Sequence, residues 1–147
     1  MEPPPRYLLD TNILIQFVRA SPLWKVIRDK YQPLTVPLTP IISVVTHGEL
    51  RSLATQWKWE AFRRSQVEYA LKFFHTETIF TEAIIDAYAK IDAHTESRGR
   101  KLGKNDLWIA ATAAATGACL LTTDRDFDHL CPLFFARDWI DPATVAA

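Results

Sequence analysis

The hydrophobic positions of the chain fall into short apolar runs, separated by longer stretches in which apolar residues recur every three or four positions. The short runs predict β-strands, and the longer stretches predict amphipathic helices. The resulting order, β-α-α-β-α-α-β-α-α-β-loop-β, is typical of an α/β fold. We therefore expect a mainly parallel central sheet of about five short strands, flanked by helices on both faces. The expected strands are residues 6–9, 40–43, 75–80, 118–123 and 133–135.

Capping residues and a glycine mark the ends of several expected helices. Ser21 precedes a proline and is a typical helix start, and Thr81 is another. The last long helix is expected to begin at Asp106 and to end at Gly117, a residue type that is common just beyond helix C-termini. A further amphipathic helix is expected over residues 57–74. The inward-facing residues expected in these helices include Phe62, Val67, Leu71, Ile84, Ile85, Tyr88 and Ile91.

The length and composition are those of one globular domain. The 147 residues suffice for a hydrophobic core, and 48% of them are hydrophobic, which argues against disorder. We expect a single domain over residues 1–147, with a proline-rich lead-in at 1–5 and a short tail at 138–147. The formal net charge is zero, so nucleic-acid binding would depend on local basic patches. Without a recognisable signal peptide or membrane span, and with two cysteines expected to stay reduced, a cytoplasmic location is favoured.

Four acidic residues fall at one expected edge of the sheet: Asp10, Glu49, Asp106 and Asp124. In a parallel α/β sheet, ligands bind beyond the carboxyl ends of the strands. Burial of several carboxylates together is costly unless protons or cations compensate their charge. Carboxylate oxygens are the ligands that Mg²⁺ prefers, and no cysteine or histidine spacing resembles a zinc site. The pattern therefore indicates a Mg²⁺ or Mn²⁺ site that is built from these acids.

Two of the acids also have an ordinary structural explanation when each is considered alone. Asp10 is followed by Thr11 and Asn12, and all three residue types cap helix N-termini. Glutamates such as Glu49 are common on the solvated side of a helix. Because four acids occur on four separate elements, the metal site is favoured over unrelated explanations for single residues.

Four segments of the chain resemble the acidic motifs of the PIN domain family. They are YLLDTN at 7–12, SVVTHGEL at 43–50, KNDLWIAA at 104–111 and LTTDRDF at 121–127. Each motif is loose by itself, but the four occur in order and extend the resemblance over nearly the whole chain. The subgroup that the chain resembles is that of the VapC-type toxins of bacterial and archaeal toxin–antitoxin pairs.

The resemblance implies a PIN fold and a metal-dependent endoribonuclease whose products carry a 5′-phosphate and a 3′-hydroxyl. A water activated by the cation would be the nucleophile, so no side chain would attack the phosphate. Asn12 and Thr123 match the polar residues that accompany the acids, and Asp126 matches an acid whose contact with the metal varies among family members. The metal-binding and catalytic acids that the resemblance implies are Asp10, Glu49, Asp106 and Asp124.

RNA binding requires positive charge around such an acidic site. A basic segment leads directly into Asp106, and its side chains are candidates for contacts with RNA phosphates. Arg51 and Arg125 are weaker candidates, and an ordinary solvated loop is the alternative explanation of the segment. The basic segment contains Arg98, Arg100, Lys101 and Lys104.

The resemblance also implies protein partners. VapC-type toxins pair with an antitoxin that blocks the acidic site, often through an inserted basic side chain, and they are usually homodimers. Tryptophans are more often part of a core than of an interface, so only an exposed cluster would support such a contact. The aromatic residues considered for it are Trp24, Trp57, Trp59 and Phe62.

Two other functions stay open from the sequence. One is a PIN domain that binds a partner without activity, although such a protein would be expected to lose acids. The other is a phospho-acceptor signalling domain, because these domains also hold Mg²⁺ at the strand ends of a parallel sheet. They are expected to have paired acids after the first strand and a lysine after the last, whereas this chain has Asp10 alone and no such lysine.

Overall fold

The structure is a computed structural model in which residues 5–144 are described. Residues 1–4 of the expected lead-in and 145–147 of the expected tail lie outside this part. No helix within it is both long enough and apolar enough to cross a lipid bilayer. In chain order, the elements are β1 (Tyr7–Leu9), α1 (Thr11–Arg19), α2 (Pro22–Tyr31), β2 (Ile41–Ser43), α3 (Val44–Gln56), α4 (Ala61–Phe73), β3 (His75–Glu77), α5 (Glu82–Ser97), α6 (Lys104–Thr116), β4 (Cys119–Thr122), a 3₁₀ helix (Arg125–Leu130) and β5 (Arg137–Trp139).

The strands form one parallel sheet in the order β3-β2-β1-β4-β5. β1 lies at its centre, where Leu8 pairs with Ile41 on one side and with Leu120 on the other. Because all five strands run in the same direction, their carboxyl ends meet at one edge, which is where ligands bind in such sheets. The prediction of an α/β fold with a parallel sheet of about five short strands is confirmed.

Helices cover both faces of the sheet, and side chains alternate between these faces along each strand. Leu9 and Leu121 belong to a core that is shared with α1 to α4. Leu8 and Leu120 belong to a second core, shared with α5, α6 and the 3₁₀ helix. The central strands are therefore apolar on both faces, which is why short continuous apolar runs predicted them.

The helix that was expected over residues 57–74 is shorter in the structure. α3 ends in a turn that is closed by the backbone N–H of Trp59, which donates to the carbonyl of Ala54 at 3.2 Å, and α4 begins after it. Phe62 was expected on the inner side, but it lies in the first turn of α4 and is 60% exposed. Ile85 was also placed wrongly on an inner face, since it is 43% exposed. In both helices the apolar residues continue past the part of the helix surface that a neighbouring element covers.

The last strand was predicted at the wrong place. β5 lies after the expected strand at 133–135, so it takes in the first residues of the expected tail. Leu133 is 65% exposed, whereas Phe135 is buried against the second core. β5 is an edge strand that pairs with β4 alone, and its polar sequence lacks the continuous apolar run of a central strand.

Candidate metal centre

The four acids lie at the carboxyl edge of the sheet, each on a different element. Asp10 follows β1 and caps α1, and Asp124 follows β4 and caps the 3₁₀ helix. Glu49 is in α3, which begins directly after β2. Asp106 lies in the first turn of α6, where a carboxylate is favourable. The expectation that α6 begins at Asp106 is wrong, because the glycine before Lys104 provides the N-cap.

Asp10 is the most deeply buried acid of the cluster, with 5% of its surface exposed. Its Oδ1 accepts a hydrogen bond from the backbone N–H of Thr11 at 2.8 Å, and its Oδ2 accepts one from the hydroxyl of Thr122 at 2.7 Å. Burial raises the pKa of Asp10 to about 6, and the charges of Asp124 and Glu49 add to this, although both hydrogen bonds favour the ionised form. Asp10 is thus oriented by its neighbours and short of compensating positive charge.

Thr122 connects Asp10 with Asp124. Its hydroxyl donates to Asp10 and accepts from the backbone N–H of Asp124 at 2.9 Å. The parallel register of β1 and β4 sets Thr122 beside Asp10. Sequence reasoning missed this residue and singled out Thr123, whose carbonyl accepts a hydrogen bond from the indole of Trp139 at 3.0 Å.

Asp106, Asp124 and Asp126 form the tightest part of the cluster, because one carboxylate oxygen of each lies within 4.8 Å of the others. Asp126 also donates its backbone N–H to Oδ1 of Asp124 at 2.8 Å. Burial raises the pKa of Asp106 to about 7, and the charges of Asp10, Asp124, Glu49 and Asp126 raise it further. The five acids therefore act on one another across a single site.

Thr11 holds Glu49 and is itself held by Thr46, and sequence reasoning did not identify either threonine as a site residue. The hydroxyl of Thr11 donates to Oε1 of Glu49 at 2.8 Å and lies 3.0 Å from the hydroxyl of Thr46. Because Thr11 gives its single hydroxyl hydrogen to Glu49, Thr46 donates to Thr11. Asn12, which was predicted to support the acids, has an exposed side chain.

The basic segment runs from the C-cap of α5 to the first residue of α6, two positions before Asp106. Arg100, Lys101 and Lys104 line a groove of about 260 Å³ together with acidic residues of α5. Arg98 caps the C-terminus of α5, and all four side chains are exposed. Arg51, a weaker candidate, forms an ion pair with a glutamate of α4 at 3.5 Å.

The donors of the cluster fit a hard divalent cation. All members of the tight group are carboxylates, and no histidine or cysteine joins it among residues 5–144. Burial, and after it the charges of the neighbouring acids, raise the pKa values of Asp10 and Asp106, and a bound cation would favour the ionised form of both. The cluster therefore offers the oxygen ligands of a divalent-metal site.

The fold and the cluster define a class of α/β proteins that gather carboxylates for a cation at the carboxyl edge of a parallel sheet. Comparison with known families gives the class a name. The chain belongs to the PIN domain family, whose model matches residues 7–132. The family that was suggested by the four motifs is thereby confirmed.

Relatives of the chain include VapC proteins, and its structural neighbours include VapBC assemblies. The chain is 29% identical to Ribonuclease VapC1 of Haemophilus influenzae over 140 residues, which cover 90% of this chain and 97% of that protein. It is 37% identical to Ribonuclease VapC4 of Mycobacterium tuberculosis over 87 residues, covering 58% of this chain and 67% of that protein. Among solved structures, VapBC2 from Rickettsia felis, bound to a promoter DNA fragment, has a TM-score of 0.76 at 23% identity, with 92% of this chain and 98% of that chain covered. VapBC-1 from nontypeable Haemophilus influenzae has a TM-score of 0.73 at 25% identity, with 90% and 96% covered.

Proposed function

We propose that this protein is a metal-dependent endoribonuclease and the toxin of a toxin–antitoxin pair. The observation that carries the proposal is the convergence of acids from separate elements, three of which have oxygens within 4.8 Å of one another. Support comes from the relatives named Ribonuclease VapC1 and Ribonuclease VapC4. Further support comes from the similarity to a member of the VapBC family of toxin–antitoxin systems from Mycobacterium tuberculosis, at a TM-score of 0.68 and 26% identity.

We assign the metal, Mg²⁺ or Mn²⁺, to Asp10, Glu49, Asp106 and Asp124, and the position of Asp126 supports adding it as a fifth acid. Mg²⁺ takes one or two carboxylates directly and keeps several waters, so the remaining acids would accept hydrogen bonds from those waters. When bound, the cation acidifies a water and offsets charge on the scissile phosphate and the leaving oxygen.

The surrounding side chains fix the orientation of the acids. Both carboxylate oxygens of Asp10 accept hydrogen bonds, so its plane is held relative to the strand end. The hydroxyl of Thr11 holds Glu49 in the same way from the start of α1. One carboxylate of the cluster would accept the proton of the attacking water. The 5′-phosphate and 3′-hydroxyl of the products follow from the resemblance.

RNA phosphates would approach the acids along the basic segment. The paired substitution Arg100→Ala and Lys101→Ala is expected to weaken RNA affinity and to flatten its salt dependence. The plot of log affinity against log salt has a negative slope. On a single strand, each phosphate that the protein no longer neutralises reduces the magnitude of this slope by about 0.7, so the pair should reduce it by about 1.4. Binding of a labelled RNA, measured in an Asp106→Asn background to prevent cleavage, gives this slope.

The matched control for this pair is Arg28→Ala with Lys30→Ala, which removes the same two charges from exposed positions on α2. The control should bind RNA with the slope of the parent protein. A parental slope in the Arg100 and Lys101 variant would remove both residues from the RNA interface.

Besides RNA, the proposed partner is a cognate antitoxin. Of the aromatic residues considered for this contact, Trp24 and Trp59 are buried in the first core, whereas Trp57 and Phe62 are 47% and 60% exposed. The exposed pair is therefore the part of the set that a partner can reach. The homodimer implied by the resemblance stays a prediction. An RNA substrate and two free cysteines favour the cytoplasm as the place of action.

The main alternative is a PIN protein that binds without cleaving. The cluster of five acids argues against this alternative. Repulsion among the acids destabilises the metal-free fold, and a protein that only binds a partner would have no catalytic reason to keep them. Membership of the PIN family argues against the phospho-acceptor alternative.

Incubation of the purified protein with total RNA, in Mn²⁺ or in EDTA, tests the proposal. We expect cleavage in Mn²⁺ alone, with 5′-phosphate ends whose sequencing identifies the substrate class. If ribosomal, transfer and messenger RNA all stay intact in Mn²⁺, the proposed endoribonuclease activity is contradicted and the alternative of a PIN protein that only binds is favoured.

A further inference from the structure

Trp139, in the edge strand β5, contacts the chain on both sides of Asp124. Its indole N–H donates to the carbonyl of Thr123 at 3.0 Å. The face of its ring carries the guanidinium of Arg125, whose Cζ lies 3.8 Å from the ring centroid. The register of the sheet also pairs Trp139 with Thr122, the residue that bonds to both Asp10 and Asp124.

Asp124 depends on its backbone for its position. It lies where the chain leaves β4 and turns into the 3₁₀ helix, with its side chain capping that helix through the N–H of Asp126. A shift of this turn would move both acids relative to Asp106. The hydrogen bond from Trp139 fixes the peptide directly before Asp124, so it acts on the oxygens that the cation would contact.

Arg125 lies between two acids of the cluster in sequence, and its charge could neutralise either of them. Instead, its guanidinium stacks on Trp139 and lies 3.6 Å from the carboxylate of Asp128. Asp128 also pairs with Arg137 of β5. The edge strand therefore supplies the ring and the ion-pair network that engage the guanidinium of Arg125, so this cation does not compete for the acids.

We propose that Trp139 is a positioning residue of the metal centre, which holds the turn of Asp124 and keeps Arg125 from competing with the divalent cation. The inference rests on the metal site of the proposed function. It gives a role to a residue that lies beyond the 7–132 match to the family and inside the segment that was expected to be a tail.

Trp139 also packs beside α2, where it borders a cavity of about 240 Å³ with Lys30 and Tyr31. Trp139→Phe distinguishes the hydrogen bond from the packing of the ring, because the variant retains an aromatic face and loses the N–H donor. The matched control is Trp57→Phe, because Trp57 also carries a guanidinium on its ring, that of Arg19 at 4.9 Å, and lies at the C-terminal end of α3.

Mn²⁺ binding to the folded, metal-free proteins, measured by calorimetry, tests the proposal without recourse to activity. Trp139→Phe should weaken Mn²⁺ binding about three- to tenfold, the range for removal of one hydrogen bond, and Trp57→Phe should leave it unchanged. Wild-type affinity in Trp139→Phe overturns the proposal. So does loss of folding in Trp139→Phe, since the ring would then serve the sheet rather than the turn.

A double-variant comparison tests the part that concerns Arg125. Trp139→Leu should weaken Mn²⁺ binding more than Trp139→Phe, because it also removes the surface on which Arg125 stacks. Arg125→Gln should then restore part of the affinity in the Trp139→Leu background and change it little in the parent. Equal effects of Arg125→Gln in both backgrounds overturn the competition argument. If the wild-type protein itself binds no Mn²⁺, the proposed function fails rather than the role of Trp139.

Discussion

Asp106→Asn is expected to lower RNA cleavage at least about 100-fold, since even side chains that only orient metal ligands are worth about ten- to a hundredfold. Asp106 contributes an oxygen to the tight group with Asp124 and Asp126, and an amide there carries no negative charge for the cation. Asn preserves the shape of the side chain, so the variant should fold. Cleavage rates of wild type and variant in Mn²⁺, on the RNA identified by end sequencing, measure the effect.

Melting temperatures distinguish a lost metal site from a lost fold. Without metal at neutral pH, Asp106→Asn should melt above wild type, because it removes a partly ionised carboxylate from a group of like charges. Mn²⁺ should raise the melting temperature of wild type, as a ligand of the native state does, and raise that of the variant less. The control Asp86→Asn loses only an exposed pair with Lys90 and should follow wild type. Wild-type cleavage by Asp106→Asn, or an equal effect of Mn²⁺ on both proteins, contradicts the assignment.

In metal-free buffer, the contribution of these acids to the free energy of unfolding is expected to fall as the pH rises from about 4 to about 7. The folded-state pKa is about 6 for Asp10 and about 7 for Asp106, above the ordinary value of 3.8. The folded protein therefore retains protons that the unfolded chain releases. The stabilisation is complete below the unfolded pKa and is lost as the pH rises through the folded values. For the buried Asp10, the difference amounts to on the order of 3 kcal/mol.

Urea denaturation of metal-free wild type and Asp10→Asn, at pH values of about 4.5, 6 and 7.5, measures this contribution. The free energy of the variant relative to wild type should increase across the series, because the variant has no proton to lose at this position. Asp29→Asn is the control, since Asp29 is exposed on α2 in an ion pair with Arg28. The same pH dependence in Asp10→Asn and wild type would show that Asp10 titrates normally in the folded protein.

The acids could be predicted from the sequence because local signals and topology act together. Asp10 and Asp124 directly follow apolar runs, and in a parallel sheet such positions meet at one edge. Glu49 and Asp106 lie near the beginnings of helices that start at the same edge, so an error of two residues in the start of α6 did not displace Asp106 from the site.

The residues that support the acids could not be predicted in the same way. Thr122 bonds to Asp10 across 112 positions of sequence, and this hydrogen bond depends on the register between two strands. Thr46 reaches Glu49 through Thr11, which belongs to another element. Trp139 lies in an edge strand, whose exposed positions lack the apolar run that identifies central strands. Hydrophobic patterns report which residues are buried, but not which distant elements pair.

The central claim is that carboxylates from separate elements bind one divalent cation at the carboxyl edge of the sheet. The most direct test is a crystal structure of the protein with Mn²⁺, with diffraction recorded at the manganese absorption edge. We predict an anomalous peak about 2–2.3 Å from carboxylate oxygens of Asp106 and Asp124, with Asp10 and Glu49 facing it directly or through waters. Mn²⁺ found elsewhere on the molecule, with these acids neutralised by protons or by Arg125, would contradict the account.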